Sequence, residues 1–256
     1  MAPVLKTNAE IDKLRRANAV VAEVLAACGE MVRPGLTTWD LEEKARRILE
    51  KRKAKSAFLH YQPAPDMTAY PAVLCVSVNE EVVHGIPNRD RVLQDGDIVS
   101  VDFGAFKDGY CGDAARTFAV GTVSETARRL MDATEQALAE GIAMAQPGNR
   151  LQDIGYAVQR RAESDGFSVV RQFVGHGIGR AMHEDPQVPN FGRPGRGMRL
   201  RVGLVIAIEP MVNEGDWEVE ILDDGWTVVT IDGKLSAHFE NSIAITPDGP
   251  IVLSRF

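Results

Sequence analysis

The residues of this sequence best suited to chemistry are four carboxylates and one histidine in apolar or glycine-rich stretches: Asp102, Asp113, His176, Glu209 and Glu240. An ionised side chain is costly to bury there unless a positive charge neutralises it. Oxygen and imidazole ligands without thiolates favour Mn, Fe(II), Co or Zn over a structural zinc site. Four negative charges are too many for one divalent ion and match two, so the set predicts a dinuclear metal centre.

The two halves of the chain repeat one another and carry these residues in the same order. The correspondences are Pro34-Gly35 with Pro147-Gly148 between two predicted helices, His84-Gly-Ile with His176-Gly-Ile, residues 93–102 with residues 200–209, and Asp113 with Glu240. Four matches in unbroken order predict two related α/β halves, about 1–121 and 122–256, facing each other across a pseudo-twofold axis. We expect them to form one catalytic domain, 1–256, with the site where they meet.

The elements that must position these residues follow from periodicity and turn signals. Helices are predicted from the capping box at Thr7 and Glu10 to Pro34, and over about 38–53, 124–145 and 151–165. Strands are predicted over 72–79, 98–106, 204–208, 218–222, 227–230 and 238–246. Gly109 and Gly112 suggest a turn before the strand that holds Asp113. The stretch 184–197 contains three prolines and several glycines, which predicts a loop.

Composition bounds the function further. A net charge of -7 argues against a nucleic-acid partner, and the first residues contain no apolar segment long enough for a signal peptide or membrane span. The cysteines, Cys28, Cys75 and Cys111, are odd in number and lack a C-x-x-C pair, which argues against a disulfide framework. We therefore expect a cytoplasmic protein with no membrane partner, and a monomer by default.

The motifs together resemble methionine aminopeptidases of type I, in their short bacterial form within metallopeptidase family M24. Each motif contains one of the residues named above or a further histidine. The motifs are SVNEEVVHGIP, which contains His84, DFG at Asp102, GYCGDAARTF around Asp113, GHGIG around His176, MHEDP around His183, IEPM around Glu209 and SAHFENSI around Glu240. The resemblance covers nearly the whole chain. It implies an α+β pita-bread fold, with antiparallel sheet covered by helices in two pseudo-twofold-related halves. It also implies removal of the initiator methionine from nascent proteins when the second residue is small.

The resemblance assigns a role to each metal ligand. Asp102 would chelate one metal ion, His176 and Glu209 would bind the other, and Asp113 and Glu240 would bridge the two. A metal-bound hydroxide would attack the scissile carbonyl, and Glu209 would move the proton.

The same resemblance assigns the substrate contacts. His183 would stabilise the developing oxyanion, and His84 would hydrogen-bond the amide beyond the cleaved bond, roles that suit neutral imidazole donors. Tyr70, Cys75 and Trp226 would surround the methionine side chain. Cys75 could equally be an ordinary core residue, an alternative that is less favoured for Trp226 because it follows an Asp-Asp-Gly turn.

Weaker implications concern ions, partners and two departures from the family pattern. Asn79, through its backbone, and Ser236 match positions that help to bind a monovalent cation, and the ribosome is a possible docking partner.

A pocket tyrosine of the family is replaced near Met67. Met182 stands where some relatives carry an aromatic residue, which would loosen the pocket. The sequence therefore leaves the shape of the pocket beside Met67 and Met182 undetermined.

Two alternatives remain at this point. A proline-directed peptidase on the same fold would usually carry a sizeable extra N-terminal domain, whereas the first helix here is predicted to start near residue 8. A non-catalytic pita-bread binding module would normally show substituted metal ligands, whereas all five ligand positions are intact.

Overall fold

The computed structural model describes residues 3–255, which contain four helices and fifteen strands. The helices are α1 (Asn8–Met31), α2 (Thr38–Arg52), α3 (Glu125–Met144) and α4 (Leu151–Ser164). The first five strands are β1 (Lys55–Ser56), β2 (Cys75–Val78), β3 (Glu81–Val83), β4 (Ile98–Lys107) and β5 (Tyr110–Ala119). The others are β6 (Ser168–Val169), β7 (Gly175–Gly177), β8 (Glu184–Val188), β9 (Val205–Ile208), β10 (Met211–Asn213), β11 (Val219–Ile221), β12 (Val228–Thr230), β13 (Ser236–His238), β14 (Asn241–Thr246) and β15 (Gly249–Val252).

Capping residues set the start of the first two helices. At α1, Thr7 Oγ1 accepts from the backbone N–H of Glu10 at 3.4 Å, and the Glu10 carboxylate accepts from the Thr7 N–H at 2.9 Å. Thr37 and Asp40 form the same reciprocal pair at α2. These bonds satisfy amides that a helix leaves without intrahelical partners. The helix starts predicted from the sequence are confirmed within a residue.

Two antiparallel sheets carry the residues of interest. In the first half, β4 pairs with β1, β2 and β5. In the second half, five strands lie in the order β15-β14-β9-β7-β8. Two smaller sheets, β13-β10-β6 and β11-β12-β3, flank them. Helices α1 and α2 pack their buried leucines and valines with the first sheet, and α3 and α4 do so with the second, so each half has its own apolar core.

The halves meet along β5 and the segment that leads into β14. The backbone N–H of Glu240 donates to the carbonyl of Ala115 at 2.9 Å, and Thr117 Oγ1 donates to the carbonyl of His238 at 2.9 Å. Ser242 Oγ donates to the carbonyl of Asp113 at 2.8 Å. These bonds fix two carboxylate-bearing strands relative to one another across the junction.

Gly112 is not in the turn that the sequence suggested. Asp108 and Gly109 make the turn with positive φ angles, and Gly112 lies inside β5. A Cβ atom at Gly112 would lie 2.7 Å from the backbone nitrogen of Asn18. Glycine is therefore required there because α1 crosses the strand at close range.

Two further predictions were wrong in part. The predicted loop 184–197 begins with β8, an edge strand that pairs with β7. Pro186 falls between the paired residues Glu184 and Gln187, at an irregularity in the register, and both edges and bulges tolerate proline. The single predicted strand 238–246 is two strands, β13 and β14, which belong to different sheets. The chain changes sheet at Phe239 and Glu240.

Candidate metal centre and substrate pocket

One cavity of about 340 Å³ is lined by residues from both halves. All ten residues proposed from the sequence for metal or substrate contact line it: Tyr70, Cys75, His84, Asp102, Asp113, His176, His183, Glu209, Trp226 and Glu240. Sequence positions from 70 to 240 thus converge on one space. Their individual roles stay predictions.

Strand register places Asp102 and Asp113 on one face of the β4–β5 hairpin. Asp102 lies opposite Ala115, and Gly104 lies opposite Asp113. Side chains at directly opposed and next-but-one positions share a face, so the two carboxylates are diagonal neighbours. The residues opposite them are small, and a Cβ at Gly104 would lie 3.3 Å from Asp113 Oδ1 and 2.8 Å from the Phe58 ring.

His176 is held in a defined orientation in the middle of β7. Its Nδ1 lies 2.9 Å from the carbonyl oxygen of Gly177, which must accept the bond, so the proton is on Nδ1 and Nε2 keeps its lone pair. Nε2 lies 3.6 Å from Glu209 Oε1 and 4.0 Å from Asp113 Oδ2. A lone pair that faces two carboxylates is the arrangement of a metal-binding imidazole.

Glu209 and Glu240 come to the same end of a strand pair. Glu209 follows β9 directly, Glu240 precedes β14 directly, and the register pairs Ile208 with Asn241. The backbones of both glutamates are fixed by side chains. The Asn190 amide donates to the carbonyl of Glu209 at 3.0 Å, and Arg116 donates to the carbonyl of Glu240 at 2.5 Å.

The buried polar atoms of the site fit divalent metal ions. Among the described residues, Asp102 Oδ1, Asp113 Oδ1 and Glu240 Oε1 are buried without a hydrogen-bond partner. Ligand atoms of Asp113, His176 and Glu240 lie within 4.8 Å of one another. Buried oxygens without partners are costly, and metal coordination would satisfy them.

Electrostatics support the same interpretation. Burial raises the pKa of Asp113 to about 7, and it raises the pKa values of Asp102, Glu209 and Glu240 well above their usual range, with neighbouring carboxylates adding to the effect. Burial also lowers the pKa of His176 to about 3. A neutral imidazole is a ready ligand, and nearby divalent cations would restore the ionised form of the carboxyls.

Comparison with known proteins identifies the family of this chain. Residues 12–247 match metallopeptidase family M24. The chain belongs to this family. A methionine aminopeptidase from Clostridium perfringens is 52% identical over 251 residues, covering 98% of each chain, and one from Aquifex aeolicus is 48% identical over 259 residues, covering 100% of each.

Solved structures of M24 metallopeptidases confirm the α+β pita-bread fold. The crystal structure of methionine aminopeptidase from Thermotoga maritima matches with a TM-score of 0.96 and 46% identity, covering 100% of both chains. A prolidase from Pyrococcus furiosus matches with a TM-score of 0.79 and 20% identity, covering 99% of this chain and 66% of that chain. The prolidase therefore shares the fold alone.

The apolar part of the M24 cavity lies beside the carboxylates. Tyr70 is fully buried, and its hydroxyl oxygen lies 2.9 Å from the carbonyl oxygens of both Leu74 and Gly85, which share its one proton. The Trp226 indole packs edge-on to Tyr70 with centroids 5.1 Å apart, and its N–H donates to the carbonyl of Thr68 at 2.9 Å. Cys75 lies directly opposite Asp102 in the β2–β4 pair, so a residue of the apolar wall and a proposed metal ligand are fixed by one strand register.

Two histidines besides His176 line this cavity. His84 has a positive φ of 62° and packs edge-on to Phe173 and Trp226, and burial lowers its pKa to about 4. His183 is exposed at the mouth of the cavity and packs edge-on to His176 with centroids 4.4 Å apart. Neutral His84 can donate a hydrogen bond without carrying charge into the site.

Asn79 and Ser236 are brought together as the sequence resemblance implied. The Ser236 N–H donates to the carbonyl of Asn79 at 2.8 Å, and Ser236 Oγ donates to Asn213 Oδ1 at 2.8 Å. Asn79 has a positive φ of 59°. A monovalent cation at this position stays a prediction. Both departures from the family pattern, Met67 and Met182, line the main cavity.

Sequence reasoning missed two side chains at this M24 site. His238 is buried, its Nε2 lies 3.8 Å from Glu209 Oε2, and that nitrogen has no hydrogen-bond partner among the described residues. Its position two residues before Glu240 in an apolar strand was a usable signal. Tyr61 also lines the cavity, and no local sequence pattern distinguishes it from a loop tyrosine.

Across residues 3–255, no helix is long and apolar enough to span a membrane.

Proposed function

We propose that this M24 metallopeptidase hydrolyses the first peptide bond of polypeptides that begin with methionine. The observation that carries the proposal is one cavity in which a carboxylate and histidine cluster adjoins an apolar pocket walled by Tyr70, Cys75 and Trp226. A flexible thioether suits such a wall because it adapts to irregular apolar surroundings. The names of relatives that are 45–52% identical over nearly the full length support the same activity.

Two divalent ions, Mn, Fe(II), Co or Zn, are the proposed cofactors. Asp102, Asp113, His176, Glu209 and Glu240 would hold them, since their four negative charges balance two such ions. Bound divalent ions polarise a carbonyl and lower the pKa of water, which is the chemistry that amide hydrolysis needs.

The protein side chains would move and orient the remaining groups. Glu209 reaches the cavity, where its Oε1 lies 3.6 Å from His176 Nε2 and its Oε2 lies 3.8 Å from His238 Nε2. It would take a proton from the attacking water and deliver it to the departing amine. His84 and His183 would donate hydrogen bonds to the substrate backbone on either side of the reacting carbon.

Restriction to a small second residue follows from the resemblance, as does action on nascent chains. A proline-directed activity is not favoured, because the two prolidases and the Xaa-Pro dipeptidase that match share only the fold. This chain covers 62–66% of the length of those proteins. No observation favours a non-catalytic role, since every proposed ligand reaches the same cavity.

The test is methionine release from Met-Ala-Ser and Met-Lys-Ser by chelator-stripped protein. Cleavage is measured before and after addition of Mn, Co, Fe(II) or Zn, with Glu209→Gln as the matched variant. We expect metal-dependent cleavage of Met-Ala-Ser alone, abolished in the variant. Binding of metal without cleavage of either peptide would refute the proposed function, and equal cleavage of both would refute the small-residue preference.

A further inference from the structure

Tyr61 makes a direct contact with one of the two proposed substrate-binding histidines. Its hydroxyl oxygen lies 2.7 Å from His183 Nδ1, and the two rings pack edge-on with centroids 5.4 Å apart. Both side chains line the main cavity. This hydrogen bond joins residues 122 positions apart in the chain, so it fixes one loop against the other at the mouth of the site.

The backbone around Tyr61 is anchored, which makes the hydroxyl a fixed partner. The Tyr61 N–H donates to the carbonyl of Phe58 at 2.8 Å, and its carbonyl accepts from the N–H of Tyr70 at 2.9 Å. His60 donates in turn to the carbonyl of Tyr70 at 2.8 Å. Tyr61 is thereby tied to the same segment that provides the wall of the methionine pocket.

The direction of the Tyr61–His183 bond decides the tautomer of His183. A neutral imidazole carries one proton, so a ring that accepts at Nδ1 must carry its proton on Nε2. The phenol is the better donor and the bare imidazole nitrogen the better acceptor of this pair. Burial raises the pKa of Tyr61 above its usual value, which keeps the phenol protonated at neutral pH.

We propose that Tyr61 is a positioning residue that holds His183 in its Nε2–H tautomer, so that Nε2 presents a hydrogen-bond donor to the substrate carbonyl. The inference rests on the proposed function for the identity of the substrate, but the tautomer itself does not depend on it. Without Tyr61, the Nδ1–H tautomer becomes populated, and in that form Nε2 offers a lone pair to a carbonyl oxygen that also carries lone pairs.

The test uses the full chain loaded with diamagnetic Zn and compares wild type with Tyr61→Phe. Long-range ¹H–¹⁵N correlation spectra distinguish a protonated ring nitrogen from a bare one, and the His183 signals are assigned by their loss in His183→Gln. Steady-state kinetics on Met-Ala-Ser follow in parallel. Tyr156→Phe is the control, because Tyr156 is an exposed tyrosine on α4.

We expect Nε2–H in the wild type and a mixture of tautomers in Tyr61→Phe. The kcat should fall by roughly twofold, in proportion to the fraction of molecules in the Nδ1–H tautomer, with KM almost unchanged, since the donor is lost in only part of the population. Nδ1–H in the wild type, or an unchanged tautomer and kcat in Tyr61→Phe, would overturn the inference. Failure of the wild type to cleave Met-Ala-Ser would refute the proposed function and leave the spectroscopic result to decide the tautomer.

Discussion

A buried glutamate outside the site offers the sharpest test of how the fold supports the pocket. Glu42 lies on α2 and its side chain has no exposed surface. Its carboxylate accepts from the N–H of Val73 at 2.9 Å, from the N–H of Leu74 at 2.9 Å and from Arg46 Nε at 2.7 Å. These amides directly precede Cys75, so Glu42 fixes the entry of β2 into the pocket wall.

The magnitude follows from these contacts. Glu42→Ala removes two charge-assisted bonds to backbone amides, each worth about 1.5–3 kcal/mol. Val73 and Leu74 are 2% and 0% exposed, so bulk water does not replace the lost partner without rearrangement. Arg46 is partly exposed and can be solvated. We expect a loss of about 3–5 kcal/mol in the free energy of unfolding, or roughly 6–20 °C in the thermal midpoint for a chain of this size.

The assay is urea unfolding at a fixed zinc concentration, because bound metal also contributes to stability. The matched control is Glu43→Ala, the next residue on α2, whose exposed pairs with Arg47 and Arg89 should contribute less than about 1 kcal/mol. A raised KM for Met-Ala-Ser should accompany the Glu42 change. The reasoning would be refuted if the free energy of unfolding of Glu42→Ala lay within about 1 kcal/mol of the wild-type value, or if Glu42→Ala were no less stable than Glu43→Ala.

Three other predictions concern metal, packing and pH. Removing the metals with a chelator should lower the thermal midpoint by about 5–10 °C, because occupancy at 100 times Kd adds about 2.7 kcal/mol; an unchanged midpoint would argue against a structural contribution from metal. Gly112→Ala should cost about 1–3 kcal/mol in urea unfolding, because its Cβ would lie 2.7 Å from Asn18 N, and a neutral result would mean that α1 moves away freely. Bonds from the Thr7 N–H, the Tyr110 hydroxyl and the Thr7 hydroxyl lower the pKa of Glu10 from 4.5 to about 2, so its ionised form stabilises the fold above the unfolded value. Glu10→Gln should therefore be less stable than wild type at neutral pH, and the difference should shrink as the pH falls from 4.5 towards 2; a pH-independent difference measured by denaturant unfolding would contradict this assignment.

The sequence predicted the parts of the fold that depend on local signals. Thr7 and Glu10 mark a helix start because the reciprocal capping bonds join residues three apart. Alternation and β-branched residues located β4 and β9. The change of sheet at Phe239 and Glu240 was missed, because it depends on which distant strand, β10 or β9, each segment pairs with.

The candidate site divides in the same way. Asp102 and Glu240 could be proposed from the sequence because a carboxylate in an apolar stretch is costly to bury unless a positive charge neutralises it, and both line the cavity. Tyr61 and Glu42 were missed because each resembles an ordinary residue of its element. Their importance lies in contacts with His183 and with the residues before β2, which only the tertiary structure reveals.

The junction of the halves has a consequence for the order in which the protein matures. Synthesis releases Asp102 and Asp113 first, while their proposed co-ligands His176, Glu209 and Glu240 come from the later half. The hydrogen bond from Glu240 to Ala115 forms only when β14 docks on β5. Until then Asp102 and Asp113 lack their three proposed co-ligands, so the proposed metal centre is incomplete in a partly synthesised chain. Metal binding at the proposed centre would then follow the docking of the two halves, and it would add to the stability of the folded chain as well as supply the chemistry of hydrolysis.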